Sequence, residues 1–152
     1  MQAWRITQRA HALDRTGTGS RLTGGRWNSV GHAAIYAGLT PEIAALEKLV
    51  HTSELLPRDL VLVQLDLPDG AELYRRHSAS DLPAGWDVLP SSTVAAEFGD
   101  DFLRAGVHLG LIVPSVVMPE AFNIVLNSAH SAFSAVTFRI VRLFAFDSRL
   151  RG

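Results

Sequence analysis

A mixed α/β domain built mainly from antiparallel strands is the fold class this sequence predicts. Three observations carry it: several apolar or alternating stretches of strand length, only two segments with a clear helical start, and long intervening stretches rich in Gly, Ser and Thr. The 152 residues fit one domain, 1–152, long enough to bury a core without help from metal or disulfide. A hydrophobic share of 47% beside 19% charged residues belongs to a globular chain rather than a disordered one.

In chain order, residues 4–6 read as a first strand and 14–25 as an irregular loop of a length that is often functional. Gly24-Gly25 allows a tight turn before Arg26, and Trp27 supplies an aromatic anchor. Residues 33–37 are a short apolar run bounded by Gly31 and Gly38, suited to a buried strand. Thr40-Pro41-Glu42 then starts a helix, because Thr caps, Pro is tolerated at the first position and Glu suits the positive end of the dipole. That helix runs to about residue 51 with Ile43, Leu46, Leu49 and Val50 as its buried stripe, which leaves Glu47 at the edge of the core.

Residues 60–67 alternate as a strand, and 72–90 read as loop with a short helix. Ser91-Ser92-Thr93 caps a second helix extending to about Gly106, with Val94, Phe98, Phe102 and Ala105 on one side. Residues 109–113 form a strand that delivers Pro114-Ser115. Residues 124–126 form another, flanked by Asn123 and Asn127, and 136–146 a long final strand.

The net charge of -1 provides no general basic field, which argues against nucleic acid as a direct partner. With no cysteine, disulfides, thiolate metal sites and thiol catalysis are excluded together. No apolar run is long enough for a membrane span and the N-terminus lacks the pattern of a signal peptide, so a cytoplasmic location is expected. The six histidines show no pair at metal-ligand spacing on one helix face, and Gly17-Thr18-Gly19 lacks the lysine of a phosphate loop. Neither a metal nor an ATPase reading survives.

The remaining chemistry rests on a few side chains. Arg26 after two glycines suits close approach to a diphosphate, or else it is a surface cation beside Trp27. Tyr36 offers a flat face for stacking if its strand borders a cleft, and is a core ring otherwise. Glu47, beside an apolar stripe, has to be solvated, paired (Lys48 being the nearest cation) or functional. Ser115 at a strand end has no histidine in a triad pattern, so it reads as a hydrogen-bonding group or turn cap rather than a nucleophile. Asn123 and Asn127 point to the same side of their strand, one to order backbone and one to meet substrate.

Taken with Trp4-Arg5-Ile6, the stretches Gly24-Gly25-Arg26-Trp27-Asn28, Ala34-Ile35-Tyr36-Ala37, Leu46-Glu47, Val113-Pro114-Ser115, Asn123-Ile124-Val125-Leu126-Asn127 and Phe146-Asp147-Ser148-Arg149-Leu150 resemble the RES-domain family over essentially the whole chain. The resemblance implies an ADP-ribosyltransferase-like fold, small mainly antiparallel sheets with flanking helices around an NAD cleft. It also implies a toxin of a RES–Xre pair that consumes NAD+ as substrate, with no bound prosthetic group and an Xre-type helix-turn-helix antitoxin as partner.

In that scheme Arg26 holds phosphate or ribose, Trp27 lies against the substrate and Tyr36 stacks on nicotinamide. Glu47 stabilises the ribosyl cation, while Ser115, Asn123 and Asn127 position substrate. One carboxylate suffices, since nicotinamide leaves neutral from a cationic bond and needs no acid. The acceptor is water, phosphate or a host protein. The chain departs from the family after Asn127, where Ser128-Ala129-His130-Ser131 replaces the usual prolines. A module that binds a nucleotide or peptide without turnover is the rival reading.

Overall fold

The computed structural model describes residues 1–52 and 55–151. Seven strands form one sheet: β1 (Gln2–Gln8), β2 (Ile35–Gly38), β3 (Leu60–Asp66), β4 (Tyr74–Arg76), β5 (Gly110–Pro114), β6 (Phe122–Leu126) and β7 (Thr137–Phe144), in the order β4-β5-β6-β2-β1-β3-β7. Every pairing is antiparallel except that of β4 with β5. Three helices accompany it, α1 (Thr18–Thr23), α2 (Pro41–Val50) and α3 (Thr93–Ala105). The expected α/β class with mainly antiparallel pairing is the one observed.

The sheet consists of two halves with a seam. The halves β4-β5-β6-β2 and β1-β3-β7 are joined by a single residue pair, Trp4 opposite Gly38, whereas β1 and β3 pair along seven positions. Beyond that rung β1 and β2 diverge, and the gap between them becomes a hollow. β3 is buried on both faces because β1 and β7 flank it and core clusters cover each side, which is why its sequence LVLVQLD is apolar nearly throughout.

The start of α2 is as the sequence predicts, with the Thr40 hydroxyl accepting the Ile43 amide at 3.2 Å and Pro41 in the first turn. Its buried stripe is not. Ile43 and Ala44 are buried, whereas Val50 is 49% exposed. The first turn presses on the bare backbone of Gly38, where an added Cβ would stand 2.6 Å from Ile43 Cγ2, and only the last residue of the helix, Val50, is exposed among its apolar side chains.

α3 differs in the same sense: its fully buried residues are Ala95, Gly99 and Asp100, while Phe98 and Phe102 pack half-buried against Trp27, Trp86, Leu111, Val113 and Val125, and Ala105 is exposed. Small side chains let this helix lie close to its neighbours. The stretch read as loop at 14–25 contains α1, and the one at 72–90 contains β4. Arg15, just before α1, donates to the carbonyls of Val136 (2.7 Å) and Phe133 (3.1 Å) with its guanidinium over the rings of Phe133 and Phe138. It ties the loop after β1 to the entry of β7.

Candidate active site

Glu47 lies at the end of the second turn of α2, and the sheet reaches up to it from two strands. Its Oε1 accepts hydrogen bonds from Ser115 Oγ at 2.6 Å, just past β5, and from Asn123 Nδ2 at 2.7 Å on β6. Among the described residues the one polar partner near its Oε2 is His51 Nδ1, at 3.8 Å, and about a quarter of the side chain is exposed. The carboxylate is therefore fixed by one oxygen and open at the other. Lys48, the nearest cation in sequence, is not its partner.

Ser115 is completely buried, and its hydroxyl also accepts the amides of Val117 (3.1 Å) and Met118 (3.3 Å). With that bonding the hydroxyl orients Glu47, and its partners in the structure are the acid and two backbone amides. Asn123 and Asn127 separate in role. Asn127 donates to the Leu103 carbonyl of α3 at 3.2 Å and accepts the Ala129 amide at 3.0 Å, holding the chain turn after β6 away from Glu47. The absence of prolines after Asn127 is accommodated by that turn.

Sheet register connects Glu47 to the seam. Asn123 lies opposite Gly38 and Tyr36 opposite Val125, so Tyr36 and Asn123 are diagonal neighbours on one face, with Cβ atoms about 7–8 Å apart. Gly38 between them carries no side chain. Tyr36 lines a hollow of about 290 Å³ in the divergence of β1 and β2, together with Arg5, Thr7, Asp14, Gly17 and Ser20. That volume is at the lower edge of the range for small-molecule sites, about 300–1,000 Å³.

Arg5 is the functional candidate that sequence reasoning missed. It is half-buried, and burial pushes its guanidinium pKa down, with the charge of Asp14 working the other way. Among the described residues it makes no hydrogen bond or ion pair. The side-chain oxygen Oδ1 of Asp14 is taken by the amide and hydroxyl of Thr16. An unpaired cation facing a hollow is a receptor for an anion. The signal was present as a lone Arg in an otherwise neutral first strand.

Arg26 sits at the tip of a tight turn in which Gly25 bridges to Asn28. Its Nη1 donates to the carbonyls of Trp86 (2.9 Å) and Val88 (3.1 Å), leaving Nε and Nη2 without a partner among the described residues. Arg26 is not among the residues that line the hollow at the seam, so the two arginines stand at different places. Trp27 is 4% exposed, stacked on Trp86 with ring centres 6.1 Å apart and set edge-on to Phe98, so it is a core anchor and not a ligand surface.

The Tyr36 hydroxyl is fully used. It accepts the Trp27 amide at 3.1 Å and donates to Asn28 Oδ1 at 2.5 Å. Burial pushes its phenol well above the ordinary value, the Trp27 amide opposing and the charge of Asp100 adding to the rise. Only the ring remains for stacking. Among the described residues no cluster of His, Asp and Glu is arranged to hold a metal ion.

The model of the RES domain matches residues 2–147, nearly the full chain. The chain belongs to the RES-domain family. This RES domain is 37% identical over 155 residues to a Prs ADP-ribosylating toxin of Sphingobium sp. (strain YBL2), covering 97% of this chain and 94% of that protein. It is 34% identical over 154 residues to a toxin Res of Yersinia enterocolitica, covering 99% of this chain and all of the relative. Its fold is similar to a chain in the crystal structure of the M. tuberculosis MbcT-MbcA toxin-antitoxin complex, with a TM-score of 0.67 at 20% identity over 99% of this chain and 86% of that one.

Proposed function

We propose that this RES domain is the toxin of a toxin–antitoxin pair and that it cleaves the nicotinamide–ribose bond of NAD+. The observation that carries the reading is the half-pinned carboxylate: Glu47 is held at Oε1 by Ser115 and Asn123, has no hydrogen bond at Oε2 among the described residues, and is gripped by an asparagine whose diagonal neighbour in the sheet, Tyr36, lines a hollow with Arg5. A fixed negative charge beside an anomeric carbon stabilises the oxocarbenium-like transition state, and nicotinamide departs neutral without a second acid. Arg5 and the free edge of Arg26 suit the two phosphates, and the Tyr36 ring suits the nicotinamide face. NAD+ is the substrate, and no prosthetic group is required.

The ribosyl cation then passes to water or phosphate, depleting NAD+. A second reading, favoured by the name of the Sphingobium relative, passes ADP-ribose to a host protein. In either case an antitoxin of Xre type, carrying the helix-turn-helix, would neutralise the enzyme.

Purified protein incubated with NAD+ should release free nicotinamide, and Glu47→Gln should slow release about 10²–10³-fold or more. Repeating the assay with and without phosphate, and with a host lysate and labelled NAD+, separates the acceptors. No nicotinamide from folded wild-type protein under any of these conditions would leave the non-catalytic binding module as the reading.

A further inference from the structure

The turn that presents Arg26 is held from behind by a helix that carries none of the RES motifs. Gly25 N–H bonds the Asn28 carbonyl at 2.9 Å, and the next amide outward, that of Ser29, donates to Asp100 Oδ1 on α3 at 2.9 Å. One residue earlier on α3 the approach is closer still, for a Cβ added to Gly99 would stand 1.7 Å from the Trp27 carbonyl oxygen. The turn is thus seated on α3 at two consecutive residues.

Asp100 is 5% exposed, and among the described residues no Lys or Arg nitrogen comes within ion-pair distance of it. A buried carboxylate without a cation is costly, and its position in the second half of α3 gains nothing from the helix dipole. An apolar residue would pack there at lower cost. What the carboxylate supplies is an acceptor aimed at the backbone next to the Arg26 turn. On the far side the turn is closed by Tyr36, through Trp27 N–H and Asn28, and Asn28 Nδ2 is itself bonded to the carbonyls of Ser20 and His32.

We infer that Asp100 is a positioning residue for Arg26, fixing the turn through the Ser29 amide while Gly99 provides the seat. This rests on the proposal that Arg26 meets the substrate. Asp100 touches no ligand; it sets where the guanidinium stands before the ligand arrives, so its loss belongs in KM rather than in kcat.

The test is a double-mutant cycle on Asp100 and Arg26, read as KM and kcat for NAD+ by nicotinamide release and, independently, as the inducer level giving half-maximal growth arrest. Asp100→Ala should raise KM about 10-fold with kcat within about twofold. Asp100→Asn should restore most of the loss, since its amide oxygen still accepts the Ser29 N–H. The Arg26→Ala/Asp100→Ala pair should be no worse than Arg26→Ala alone.

A folded Asp100→Ala protein with unchanged KM, or additive effects in the pair, would overturn the inference. If Asp100→Ala does not fold, Asp100→Ser takes its place in the same cycle. If wild-type protein arrests growth but releases no nicotinamide, the NAD+ reading fails by itself, and the growth-arrest cycle decides the coupling by the same rule.

Discussion

Two hydroxyl groups, those of Ser115 and Tyr36, are committed to partners within the protein, and each holds a neighbouring group in place. Ser115 joins Glu47 Oε1 to the amides of Val117 and Met118, so the acid is referenced to the backbone after β5. Ser115→Ala should destabilise the fold by about 1–3 kcal/mol, because two amides lose their acceptor. It should also lower nicotinamide release more than it lowers NAD+ affinity, measured by melting and by steady-state kinetics on one preparation. Equal loss of affinity and rate would instead place Ser115 on the substrate.

Tyr36 makes a prediction about alkali. Its folded pKa is raised, chiefly by burial, so the stability it lends is fully present below the ordinary tyrosine value of about 10 and is lost as pH rises above it. Melting temperatures of wild type and Tyr36→Phe between about pH 8.5 and 11.5 should show the wild type falling more steeply. Parallel curves would mean that the phenol is not confined as described. That Glu47, Ser115 and Asn123 are polar groups worth watching was legible from residue type and position, and the structure brings those three together. Their bonding was not, since nothing in the sequence says that Asn123 meets Glu47 while Asn127 meets Leu103.

At the scale of elements, the sequence disclosed whatever carried a cap or an alternation. The Thr40 and Ser92 caps located both long helices, and the alternation in 60–67 located β3. It concealed elements held from outside. α1, with the sequence TGSRLT, has no apolar stripe, and it stands because the Ser20 hydroxyl bonds the Ala34 carbonyl and accepts the Ala34 amide, while Asn28 holds the Ser20 carbonyl. β4 is three residues at a sheet edge, too short for any period to register.

The buried stripes of α2 and α3 were misassigned for one reason: the closest packing uses glycine and alanine, which hydrophobic periodicity undercounts. Gly38→Ala tests that packing. A methyl 2.6 Å from Ile43 Cγ2 and 2.9 Å from the Ala44 amide forces α2 outward, which should cost about 1–3 kcal/mol and weaken the hold of Asn123 on Glu47. A melting temperature and activity both equal to wild type would show that α2 rests elsewhere.

For the molecule as a whole, the seam is the organising fact. Two half-sheets joined by the Trp4–Gly38 rung hold a hollow where they part, with Arg5 of β1 and Tyr36 of β2 both lining it. Hydrogen exchange should find β1, β3 and the β5–β6 pair well protected and the facing edges of β1 and β2 less so, with the difference shrinking when NAD+ is added to Glu47→Gln protein. Uniform protection across both strands would contradict the seam. A split architecture was expected from the family resemblance. Neither the rung nor Arg5 beside it was foreseen, because pairing between residues 4 and 38 depends on α2 pressing down on Gly38, a long-range matter.

The place of β3 has a consequence for how such a chain is made. β3 lies between β1, near the start of the polypeptide, and β7, residues 137–144, near its end. During synthesis its outer edge stays bare until residues 137–144 follow, and the Arg15 bracket that anchors the loop after β1 also waits for Phe133 and Val136. The half-sheet β1-β3-β7 is therefore finished only after every strand of the other half has been synthesised, so the two halves mature one after the other.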